Sequence, residues 1–126
     1  MVLAVTNADA IIRKPIPTFM SSRVAFVSGP IDATEDYFSA YYVPRLRTAV
    51  EQGNSFVIGP IAGIDTFALH YLLPLVPPSR VSIYMAEFEY IDTRRRKAYE
   101  DLGVKVVNTG EITTRERDAA MTRDSD

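Results

Sequence analysis

The stretch from Phe56 to Leu73 constrains the fold more than any other part of this chain. Phe56, Val57 and Ile58 form an apolar run of the kind that becomes a buried strand. Gly59 and Gly63 bracket a tight loop. Asp65 and Thr66 then precede Phe67, Ala68, Leu69, Leu72 and Leu73, which recur at helical spacing. A strand, a glycine loop and a helix opening in that order make a ligand pocket plausible on physical grounds. The first helical turn leaves backbone N–H groups unpaired, and these attract anions. Glycines let the backbone approach a ligand closely.

The rest of the chain repeats the same grammar. Val24 to Ser28 is a continuous apolar run that ends in Gly29-Pro30 and reads as the first central strand. Asp32 and Glu35 stand in a capping relation, so a helix is expected to follow and to run to about Gln52, closed by Gly53. Pro44 lies inside that span and predicts a kink or break near Val43. After the glycine loop, the next helix ends near Leu73-Pro74, and Pro77-Pro78 forbids its continuation. Val81 to Met85 reads as a strand, Thr93 to Leu102 as a short helix closed by Gly103, Val104 to Val107 as a strand, and Thr113 to about Thr122 as a last helix. Strands that are apolar throughout, alternating with helices over short connections, predict an α/β fold: a Rossmann-like three-layer sandwich with a mostly parallel sheet of four to five strands.

At 126 residues the chain holds one domain. Residues 1–22, with Pro15 and Pro17, read as an N-terminal extension or arm, with a short strand expected within Met1 to Val5; residues 23–126 form the α/β domain. The last helix is polar at its end and is expected to feed a further strand, so the domain is expected either to lack its last strand or to complete its sheet through a partner. Hydrophobic residues make up 47% of the chain, enough for a packed core. The absence of cysteine excludes a disulfide framework and a thiolate metal site, and a single histidine, His70, argues against a histidine zinc site. Neither a metal nor a cofactor is expected. The net charge of −2 argues against a general nucleic-acid binder. No apolar run approaches the roughly 20 residues that span a bilayer, and no signal-peptide pattern opens the chain, so a cytoplasmic protein without membrane attachment is expected.

Candidate functional residues fall at the ends of the apolar strands. Ser28, Gly29 and Pro30 follow the first, and Gly59, Gly63, Asp65 and Thr66 follow the second. Loops at the carboxyl ends of strands are where open α/β sheets bind ligands. Asp65 is a candidate acceptor for a ribose hydroxyl or a base; the structural alternative is that Asp65 or Thr66 only caps the helix. Asp32, Glu35 and Asp36 are acid–base groups, carboxylates that could hold magnesium, or an acid-rich first turn favoured by the helix dipole. Glu87 and Glu89 follow the third strand and are candidate catalytic carboxylates or parts of a solvated loop. Arg94, Arg95, Arg96 and Lys97 spread over a helical turn and cannot all face one phosphate. Arg115 and Arg117, near the start of the last helix, suit bidentate phosphate binding better. Tyr37, Tyr41 and Tyr42 are candidates for base stacking or for a dimer interface, and Phe38 for the core.

Several of these strings resemble the SLOG superfamily. Val27-Ser28-Gly29-Pro30, and Gly59 through Gly63-Ile64-Asp65, match its two strand-end loops. The Gly-Ile-Asp-Thr-x-Ala-x-His string at 63–70 is similar to the DNA-processing protein A branch, and Arg117-Asp118-Ala119-Ala120-Met121 resembles the Arg-x-x-x-Met helix of small members. The Ser-Gly-Pro loop is also similar to that of nucleoside 2-deoxyribosyltransferases. The resemblance implies a nucleotide or nucleoside phosphate held by Ser28, Gly29, Pro30, Gly59, Gly63, Asp65, Thr66 and Arg117. Some members, such as the cytokinin-activating phosphoribohydrolases, cleave an N-glycosidic bond; here that work would fall to Glu87, Asp32 or Glu89. Enzymatic members carry a Pro-Gly-Gly-x-Gly-Thr loop, and this sequence has no such stretch. The alternative expectation is a non-enzymatic homo-oligomer or nucleotide sensor. A third, single-stranded DNA binding, rests on the DNA-processing likeness alone.

Overall fold

The structure, a computed structural model, describes residues 2–3 and 23–125. Strands β1 (Val2–Leu3), β2 (Val24–Val27), β3 (Ser55–Ile58), β4 (Val81–Met85) and β5 (Lys105–Asn108) pair side by side in chain order, and every pairing is parallel. Ala25 faces Phe56 and Val27 faces Ile58 across β2 and β3, while Ile58 faces Ile83 across β3 and β4. This is the parallel α/β sheet expected from the unbroken apolar runs. Apart from strand β1, the N-terminal arm expected over residues 1–22 lies outside the described residues.

The helices are α1 (Glu35–Tyr41), α2 (Val43–Glu51), α3 (Ile64–Leu72), α4 (Glu87–Tyr90), α5 (Thr93–Glu100) and α6 (Thr114–Asp124). The expected break before Pro44 is realised at Tyr42, which ends α1 and caps α2, with Pro44 in the first turn of α2. There the missing N–H of proline breaks no hydrogen bond. The Asp32–Glu35 capping relation is not used; Thr34 caps α1, its hydroxyl accepting from the Tyr37 N–H at 3.1 Å. Glu87 to Tyr90, read from sequence as loop, is a single helical turn, too short to show a period.

Two layers of helix enclose the sheet. Strands laid down in one direction with right-handed crossovers carry their helices to one face. There Ala25, Val27, Phe56, Ile58, Val81, Ile83 and Met85 meet Phe38, Tyr42, Leu46, Ile64, Leu69 and Leu72 in the main core. Phe38 and Tyr42 stack at 5.7 Å between ring centroids. Helix α6 follows the last described strand and turns back over the opposite face, where Met121 packs on Phe26 and Val57. That return brings the first turns of α6 over the carboxyl ends of β2 and β3. No helix among the described residues is long and apolar enough to cross a membrane.

Candidate functional site

The two strand-end loops lie against each other. The Ile64 N–H donates to the Pro30 carbonyl at 3.3 Å. Gly63 has φ of 78° and caps α3 without a side chain, and a Cβ there would collide with the carbonyl oxygens of Pro30 and Ile31. Only glycine meets both the left-handed backbone and the close approach of the second loop. Gly29 is equally confined, since a Cβ would sit 2.6 Å from Ile64 Cγ1 and against the Tyr42 hydroxyl. That hydroxyl donates to the Ser28 carbonyl at 2.7 Å, so Tyr42 is a core residue that fixes the first loop. Phe38 is buried beside it; Tyr41 is exposed.

Above the joined loops, the start of α6 closes a cavity of about 330 Å³ lined by Ser28, Gly29, Ile31, Ile61, Asp65, Thr114, Arg117, Asp118 and Met121. Of the residues singled out in the sequence, Ser28, Gly29, Asp65 and Arg117 meet here. Gly59 lies beneath: a Cβ on it would stand 2.8 Å from Asp65 Oδ2 and 3.6 Å from Arg117 Nη2. The glycine therefore makes room for the two charged side chains.

Other candidates go elsewhere. The Thr66 hydroxyl donates to the Ile61 carbonyl at 2.9 Å, and Thr66 borders a larger hollow of about 630 Å³ between α1 and α3, shared with Glu35, Phe38 and His70. Pro30 and Asp32 line a third hollow with Thr34 and Tyr37. Glu87 is exposed and accepts from Asn108 Nδ2 at 2.8 Å. Glu89 is 1% exposed. Asp32, Glu87 and Glu89 do not converge on one space. The larger hollow is walled by Phe38, Val43, Phe67 and Tyr71 together with Glu35, Ser39, Thr66 and His70; the cavity at the sheet's carboxyl edge brings Asp65, Arg117 and Asp118 together.

A buried charge network supports that cavity. Arg117, 3% exposed, donates from Nη1 to Glu89 Oε1 at 2.7 Å and to Oε2 at 2.5 Å. Glu89 Oε1 also accepts the Ala86 N–H at 2.8 Å. Arg95 Nη2 lies 3.8 Å from Glu89 Oε2 and donates to the Pro60 carbonyl at 2.7 Å, tying α5 to the glycine loop. The other edge of the Arg117 guanidinium faces Asp118, whose Oδ1 is 3.2 Å from Nε and 3.1 Å from Nη2. Burial works against the charge on Arg117, but its bonds to Glu89 and Asp118 outweigh that and hold its pKa above the ordinary value. The basic run at 94–97 divides as its spacing requires: Arg95 turns inward, Arg96 stacks 4.6 Å from the Tyr90 ring centre, Lys97 pairs with Asp101, and Arg94 is exposed.

Asp65 is the least ordinary group in the cavity. It is 9% exposed, and burial pushes its pKa up to about 8; Arg117 opposes the shift, and the carboxylates of Asp118 and Glu89 add to it. The side chain therefore holds a proton at neutral pH. A neutral carboxylic acid can donate a hydrogen bond, which a carboxylate cannot. The pairing of Glu89 with Arg117 had no local signal in the sequence, because the partners are 28 residues apart on separate elements. Asp118 was visible only as part of the Arg117–Met121 string.

No family model matches the chain, and neither a curated protein nor a solved structure is significantly similar to it.

Proposed function

We propose that the cavity binds the phosphate of a nucleotide or nucleoside phosphate. The observation that carries this reading is the placement of Arg117 over the two joined glycine loops, with Asp65 beside it at the carboxyl ends of β2 and β3. Arginine presents a planar fork of donors that suits phosphate oxygens. The acid form of Asp65 adds a donor without adding negative charge. Thr114 brings the first turn of α6 to the same space, and the Thr113 hydroxyl caps that turn by accepting the Glu116 N–H at 3.1 Å. The strand-end loops that resemble those of the SLOG superfamily are the loops that border this cavity. N-glycosidic hydrolysis needs two carboxyl groups at one sugar. Asp65 and Asp118 are the carboxyl pair at this cavity, so such a reaction here would draw on them and not on Asp32, Glu87 or Glu89.

The test is a ligand-observed NMR screen of the purified chain against ribo- and deoxyribonucleoside monophosphates, NAD and ADP-ribose. Binding is expected for at least one nucleoside monophosphate and is expected to be lost in Asp65→Ala. Silence from every ligand with a folded sample overturns the reading.

Self-association is a second reading, favoured by a separate observation: Ile31, Tyr41, Phe88, Ile91 and Ile112 all expose large apolar side chains. Exposed apolar surface of this kind marks interaction sites when it is contiguous. Light scattering at high protein concentration is expected to give a mass above that of one chain; a monomer mass overturns this second reading and leaves the first untouched.

A further inference from the structure

The two edges of the Arg117 guanidinium are held by carboxylates of opposite character. Glu89, 1% exposed, grips Nη1 with both oxygens and is itself held by the Ala86 N–H. Asp118 holds the Nε and Nη2 edge, and its side chain is 51% exposed. Glu89 is walled in; Asp118 lines the cavity and is free to swing into solvent about its own side-chain torsions. Asp118 covers that edge with Oδ1 alone, at 3.2 Å from Nε and 3.1 Å from Nη2, where a phosphate would set two oxygens against the two parallel donors.

We propose that Asp118 is a built-in occupant of the anion seat: its carboxylate covers the Nε/Nη2 edge of Arg117, and a ligand's phosphate binds by displacing it. The proposal rests on the reading of the cavity as a phosphate site. Charge counting supports it. Arg117 already faces the carboxylates of Glu89 and Asp118, with Arg95 behind Glu89. A phosphate that entered while Asp118 stayed in place would bring further negative charge against a guanidinium already paired twice. Displacement exchanges one anion for another and leaves the Glu89 pair intact. The helix N-terminus favours the phosphate in that exchange, because it carries more charge than the carboxylate.

Removing the internal competitor should therefore strengthen binding. Isothermal titration of adenosine monophosphate and of inorganic phosphate into the full chain compares wild type with Asp118→Asn, Asp118→Ala and Glu51→Gln, the last removing an exposed charge at the end of α2. Both Asp118 variants are expected to bind both probes about tenfold more tightly, from the lost ion pair together with the removed repulsion. Glu51→Gln should bind as wild type does. Asp118 is exposed on a helix, so its replacement leaves the fold intact, checked by circular dichroism. If wild type binds and the Asp118 variants bind equally or more weakly, Asp118 is no competitor and the proposal fails while the phosphate site stands. A gain confined to adenosine monophosphate also overturns it, because the nucleoside and not the anion would then be responding. Binding by none of the proteins overturns the phosphate site and this proposal with it.

Discussion

Arg117→Met is expected to lower the stability of the protein by about 3–5 kcal/mol, the cost of leaving a buried charge without its partner. The charge left behind is Glu89, 1% exposed and within 2.7 Å of the guanidinium from both oxygens. It cannot turn to water, because Oε1 is anchored by the Ala86 N–H and the side chain lies beneath α6. Arg95 stands 3.8 Å away and supplies partial compensation, which places the expected loss toward the lower end of that range. The companion variant separates a charge effect from lost packing. Combining Glu89→Gln with Arg117→Met removes both charges but keeps an oxygen to accept from Ala86, and should recover at least half of the loss. Urea unfolding, with the midpoint and slope fitted separately, reads both variants. A loss under about 1 kcal/mol for the single variant, the range of an exposed pair, would mean that the network is solvated.

This pair also marks where the sequence stops being informative. β4, from Val81 to Met85, was legible because an apolar strand run is a local pattern, and α3 because its loop and apolar spacing fall within one short stretch. The break at Tyr42 followed from Pro44 by the same local logic. Two of the glycines told of the site for a reason that was only half anticipated: Gly63 and Gly29 also admit the close approach of a neighbouring loop. What the sequence did not carry was convergence. Glu87 and Glu89 look alike in the chain, two residues apart, yet one is exposed beside Asn108 and the other is sealed under Arg117. A single turn of helix sends them to opposite fates. Likewise Asp32 follows the same loop as Ser28 and Gly29 but opens on a different hollow, because the loop turns away at Pro30 to meet Gly63.

Asp65→Asn is expected to remove a pH dependence that dominates the stability of the wild type between pH 4 and 8. In the unfolded chain the carboxyl titrates near the ordinary 3.8; in the folded protein burial raises it to about 8. Below the lower value both states hold the proton and the group contributes no pH dependence. Between the two values the unfolded chain releases its proton while the native state keeps it, so stability falls as pH rises, by up to about 1.4 kcal/mol per pH unit. Above the higher value both states are ionised and the loss is complete. At pH 7 the accumulated penalty is on the order of 4 kcal/mol relative to acid conditions. The other perturbed groups stay outside this window: burial and the Asp124 contact push Tyr84 up to about 12, Tyr99, Lys97, Arg117 and Arg123 are raised from values already above it, and Arg123 followed by Tyr84 holds Asp124 below its ordinary value. Asparagine is isosteric and does not ionise, so the variant should show a flatter profile and should exceed the wild type most clearly near pH 8. Urea unfolding from pH 4.5 to 8.5 measures this; parallel profiles would place the Asp65 carboxyl in water. On the proposed reading of the cavity, the proton that burial keeps on Asp65 is the donor offered to the ligand, so the flatter profile of Asp65→Asn and the lost ligand response of Asp65→Ala are expected to trace to the same group.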